Sequence, residues 1–126
     1  METMKILGVT RRNDITFHRS GRIDLTAHVS KVLHLHAGDV INIAATGGPI
    51  VEHYLYVARR GSETTGRHCG VCRPAKRRGN YLRVFCKRLT DYALSTRSGA
   101  SSVALRVGQA EEVSGLGTAL PIIGLF

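Results

Sequence analysis

Residues 21–43 read GRIDLTAHVSKVLHLHAGDVINI, and the fold is decided there. Ile23-Asp24-Leu25 alternates apolar and polar side chains, the period of a half-buried strand. Thr26 stands where a helix N-cap would sit, its hydroxyl able to accept an orphan backbone N–H. Val29, Val32 and Leu33 fall at i, i+3 and i+4, one face of a helix about two turns long. Leu35 carries that apolar surface past the helix end. Ala37-Gly38-Asp39 then closes the helix, glycine tolerating the positive φ that such a stop often needs. Ile41 and Ile43 alternate with Asn42, so a second strand follows with one face buried.

Upstream, Ile15-Thr16-Phe17-His18 alternates and Ser20-Gly21 marks a tight turn. Residues 15–25 therefore form a hairpin or a strand with a bulge. An apolar patch, Ile6, Leu7 and Val9, precedes Arg11 and Arg12 as a short strand or a loose arm. Downstream, Thr46-Gly47-Gly48-Pro49 is a turn. Residues 50–57 form a strand with either Leu55 and Val57 or Tyr54 and Tyr56 inward, and periodicity does not choose between them. Residues 59–80 show no period and read as a long loop, which in a compact domain signals function or disorder. Tyr81 to Cys86 alternates again, and Leu89, Tyr92 and Ala93 repeat the helical spacing before Ser98-Gly99. Val103, Leu105 and Val107 make another strand, and Gly115, Gly117 and Pro121 punctuate an apolar tail. Leu89 and Ala93 lie sixty residues after Val29 and Leu33, and Val103 and Leu105 sixty-two after Ile41 and Ile43. The second stretch is either a degenerate copy of the first or a chance recurrence of common units.

The chain of 126 residues, 43% of them hydrophobic, fits a single domain. Its parts are a first half (1–58), a basic Cys/Arg-rich loop (59–80) and a last stretch (81–126) that is a degenerate second half if the recurrence is a true copy. The formal charge of +9 is unevenly placed: residues 59–97 carry eleven Lys/Arg against two Asp/Glu, and nine of those cations are arginines. Arginine presents a planar fork that matches phosphate and guanine edges. A polyanion is the expected partner, nucleic acid before an acidic protein, with a merely solubilising charge as the bland alternative. No apolar run reaches the length of a membrane helix and the first residues lack a secretion signal, so the expectation is a cytoplasmic protein with no membrane partner.

The run from Gly21 to Ile43 resembles the AbrB-like swapped-hairpin family of small bacterial DNA-binding regulators, and the likeness extends over residues 16–57. Gly-Arg, apolar positions flanking a short helix, Leu-x-Leu, a Gly-Asp turn and alternating apolar residues follow one another without a gap. The resemblance implies an α+β, mainly β fold: a small interleaved β-barrel with two short helices. It also implies that two strand–helix–strand halves build that barrel, contributed by a homodimer or by a pseudo-dimeric monomer in which residues 81–126 are the second half. It points to Arg22 and Lys31 as DNA contacts. The chain departs from the family at Thr26, where proline is frequent, at Ser30, where a basic residue is frequent, and at Asp24, an added negative charge. Binding is therefore expected to rest mainly on Arg73, Lys76, Arg77, Arg78, Arg83, Lys87 and Arg88.

His68-Cys69-Gly70-Val71-Cys72 holds a Cys-x-x-Cys knuckle, and Cys86 follows fourteen residues later. Zinc takes four such ligands in a tetrahedron. Cys69, Cys72, Cys86 and His68 or His53 are the candidate set; reduced, unliganded thiols are the alternative. The remaining histidines, including His34 and His36 on either side of Leu35, read as surface residues. Phosphate-loop, dinucleotide-binding, metalloprotease and nucleophile-elbow signatures are absent. The function expected is thus non-enzymatic: a DNA-binding transcriptional regulator, or alternatively an assembly or protein-interaction module with a basic docking loop.

Overall fold

The computed structural model describes residues 13–58, 70–74 and 82–125. The patch at Ile6, Leu7 and Val9 lies outside them. The described chain is mainly β, with ten strands and two short helices. The strands are β1 (Ile15–His18), β2 (Arg22–Leu25), β3 (Val40–Ala45), β4 (His53–Ala58), β5 (Gly70–Val71), β6 (Arg73–Pro74), β7 (Leu82–Phe85), β8 (Ser102–Val107), β9 (Glu111–Val113) and β10 (Gly117–Ile123). The helices are α1 (Ala27–Val32) and α2 (Lys87–Ala93). None of the helices is long and apolar enough to cross a membrane.

The hydrogen-bonded order is β5-β3-β4-β10-β8-β1-β2-β7-β6, with β9 added outside β10. Cys72 alone separates the two ends of that path, β5 and β6, so the sheet curls until its edges share one five-residue segment. Inward alternation fills the interior: Ile15, Phe17, Ile23, Leu25, Ile41, Leu55, Val84, Val107 and Leu120 are each 1% exposed or less. Val29 from α1 and Ala93 from α2 join the same core.

β1 and β2 form the expected hairpin, with Ile15 opposite Leu25 and Phe17 opposite Ile23. Its three-residue loop ends on Gly21 at φ +106°, the left-handed position that relieves strand twist in such turns. The Gly21 carbonyl accepts a 2.9 Å bond from Cys86 N, which docks the start of α2 on the turn. Asp14 is 2% exposed and locks the other end: its Oδ2 accepts from Val107 N at 2.9 Å, while its own N–H donates to Leu105 O.

Several expectations need correction. Thr26 does occupy the N-cap of α1, but its hydroxyl makes no cap bond and is buried without a partner. The stop of α1 is not Gly38. His34 adopts the left-handed conformation (φ +53°), with His34 N bonded to Lys31 O and Leu35 N to Ser30 O, the paired bonds of a Schellman motif. Histidine enters that region more readily than most residues, and the reward is Leu35 delivered into the core at 7% exposure. The strand expected over 50–57 begins only at His53, with Ile50 and Val51 exposed. The expected loop 59–80 contains β5 and β6, and the expected apolar tail is a hairpin of β9 and β10.

The orientation of β4 is resolved by burial on both faces. Leu55 enters the main core, while Tyr54 and Tyr56 pack outward with Ala58 and Ala119, joined by Val113 and Leu116 of the β9–β10 hairpin. The Tyr54 hydroxyl donates to Glu52 Oε2 at 2.9 Å. That bond and burial, with Glu111 close by, push its pKa up to about 12.

Candidate nucleic-acid interface

On a strand whose alternate residues fill the core, the residues between them make the outer wall. In β2 the outward residues are Arg22 and Asp24; in β7 they are Arg83 and Phe85. The register puts Arg22 opposite Phe85 and Asp24 opposite Arg83, and β6 adds exposed Arg73 opposite Arg83. Directly paired residues project from the same side of a sheet. Three guanidiniums and one aromatic ring therefore share one outer face with a single carboxylate.

Asp24 organises this face. Its Oδ1 accepts from Arg83 Nε at 3.1 Å. Its Oδ2 lies 3.3 Å from Arg22 Nε, an ion pair without hydrogen-bond geometry, since that nitrogen has no bonded partner. His18 Nε2 stands 2.9 Å from Asp24 Oδ2 and 3.1 Å from Arg22 Nη2. A neutral ring serves one of these partners at a time, accepting from the guanidinium or donating to the carboxylate. The Arg22, Arg83 and Asp24 side chains are 37%, 39% and 31% exposed. Ion pairs this open to water are worth about 0–1 kcal/mol each, so both arginines can exchange Asp24 for a phosphate at little cost.

The other expected contacts are dispersed. Lys31 is exposed in the last turn of α1, where a cation suits the negative helix end. Lys87 Nζ donates to Arg19 O at 3.0 Å and to Asp91 Oδ1 at 2.8 Å, so its charge is spent within α2 and the β1–β2 turn. Arg88 lines a cavity of about 700 Å³ together with Ile43, His53, Leu89 and Tyr92. Lys76, Arg77 and Arg78 lie outside the described residues. Arg97, counted in the basic block, is structural: Nη1 donates to Ala93 O and Leu125 O, and Nη2 to Gly124 O.

Of the candidate zinc ligands, His68 and Cys69 lie outside the described residues. Cys72 is 1% exposed in the main core, and burial together with the Asp39 charge raises its thiol to about 12. Cys86 is half-buried against that core. His53 is bonded to the Tyr92 hydroxyl at 2.7 Å. Among the described residues no three His, Cys, Asp or Glu side chains are grouped to hold a metal ion.

Sequence reasoning missed His18 and Phe85 as members of the basic face. The signal for Phe85 was present in the alternation Leu82-Arg83-Val84-Phe85, which sets the ring on the same side as Arg83. The pairing of β7 with β2, which brings in Arg22, is a contact between distant segments. No family model matches this chain, and neither a curated protein nor a solved structure gives a significant match.

Proposed function

We propose that this protein is a cytoplasmic nucleic-acid-binding protein, a bacterial DNA-binding transcriptional regulator without enzymatic activity, acting through the outer face of β2, β7 and β6. The observation that carries the reading is the convergence of Arg22, Arg83 and Arg73 on one sheet face from three strands. Phosphate contacts of this kind release condensed counterions, so affinity should fall steeply with salt. In the sequence, Lys76, Arg77 and Arg78 follow Arg73 by three to five residues and add to the local positive charge.

The same reading includes an interleaved, pseudo-dimeric barrel made by one chain. It is supported by pairings that exchange under a two-fold operation: β2 with β7 about Ile23 opposite Val84, and β4 with β10 about Leu55 opposite Leu120. Likewise β1 lies between β2 and β8, as the β5–β6 segment lies between β7 and β3. In this scheme Arg22 and Arg83 are counterparts, each one residue before an inward apolar residue.

The test is duplex binding against salt by wild type and by Arg22→Ala/Arg83→Ala, with the mass in solution measured on the same samples. Expected are a steep salt slope, weaker binding by the double variant and a monomer near 13.7 kDa. No binding to any nucleic acid at low salt would overturn the functional reading. Exposed Ile50, Val51 and Ile123 favour the alternative, a protein-interaction module. That alternative would show as an obligate oligomer that ignores nucleic acid.

A further inference from the structure

We infer that the outer face of β2, β7 and β6 takes single-stranded nucleic acid, with a base stacked on Phe85 and phosphates held by Arg22, Arg83 and Arg73. This rests on the proposed nucleic-acid function and specifies the form of its ligand. Phe85 is 59% exposed, on a strand whose inward neighbours Leu82 and Val84 are 7% and 0% exposed. A lone exposed apolar side chain is ordinary, but the surroundings of this one are not. Arg22 is its direct cross-strand neighbour and Arg83 is two residues away on its own strand, so a cation flanks the ring in both sheet directions.

An aromatic ring lying among guanidiniums on a sheet face suits a ligand that offers a flat base and a phosphate together. A duplex offers its phosphates but keeps base faces stacked within the helix. A single strand offers both, and base–aromatic stacking tolerates any sequence because every base has a π-face. The Asp24 carboxylate fits this arrangement: bonded to Arg83 and ion-paired with Arg22 through weak, water-exposed contacts, it keeps the two guanidiniums on the same sheet face as the ring until phosphates replace it.

The experiment uses the full chain and fluorescence anisotropy, with a fluorescein-labelled oligo-dT of about fifteen nucleotides and a duplex of the same length. The proteins are wild type, Phe85→Leu and Phe85→Trp, each checked by circular dichroism and melting. We expect tighter binding to the single strand than to the duplex. Phe85→Leu, which keeps apolar bulk but removes the π-face, should lose about tenfold on the single strand and leave the duplex unchanged. Phe85→Trp should retain or strengthen single-strand binding. Wild-type single-strand affinity in Phe85→Leu, or a preference for duplex, would overturn the inference while leaving nucleic-acid binding intact. Absence of binding to both probes at low salt would remove the underlying function as well.

Discussion

His53 shows how a residue's role depends on a partner far away in sequence. It is 2% exposed at the start of β4, and its Nε2 is 2.7 Å from the Tyr92 hydroxyl, contributed by α2 thirty-nine residues later. The two rings meet edge to face at 5.5 Å. Burial lowers its pKa from the ordinary 6.5, so the unfolded chain binds this proton more readily than the folded one. The stability it contributes is complete above about pH 6.5 and is lost as pH falls through the lower folded-state value. We expect the melting temperature to drop between pH 7 and pH 5, and His53→Gln to flatten that dependence. An equal slope in the variant would assign the acid sensitivity elsewhere. In the sequence His53 was legible only as a scattered histidine and an alternative zinc ligand, because nothing local to it names Tyr92.

At the scale of elements, legibility followed locality. The β1–β2 hairpin, both helices and β3 were readable because alternation, i/i+4 spacing and turn residues sit within each segment. Replacing Gly21 with alanine should cost about 1–2 kcal/mol, read as a lower urea midpoint, because φ +106° is strained for any side chain. A Cβ there would sit 3.5 Å from Lys87 Cα, ordinary van der Waals contact, so the cost comes from the backbone angle and not from a clash with α2. β10 was not legible. Pro121 reads as a breaker of central strands, yet it pairs with Tyr54 on one side while its carbonyl accepts from Gly108 N at 2.8 Å on the other. It sits where β10 passes from pairing with β4 to pairing with β8, a handover that only the assembled sheet defines. The basic face was half legible for a related reason: its residue types and outward period were local, while their convergence needed the β2–β7 register.

For the molecule as a whole, the curl of the sheet sets what can be inferred from charge. The excess of cations in 59–97 reads in the sequence as one basic segment. In the structure its described members serve different ends. Arg73 and Arg83 stand on the outer face, Lys87 and Arg97 brace the chain's own carbonyls, and Arg88 borders a cavity. Net charge therefore overstates the binding surface, and the salt slope should reflect fewer contacts than the cation count suggests.

The position of β10 bears on how the protein is made. Its partners β4, β8 and β9 all precede it in the chain, so the sheet cannot be completed until residue 123 has emerged from the ribosome. Until then β4 and β8 each present an open edge, and the Leu120 and Ile122 sites in the core are unfilled. Folding should thus be late and dominated by long-range pairing, with a nascent chain that depends on holding factors to stay unaggregated. We expect a chain stopped after residue 116 to be digested rapidly by protease and to lack the cooperative melt of the full chain. A protease-resistant core in that truncated chain would show instead that the rest of the sheet folds without its final strand.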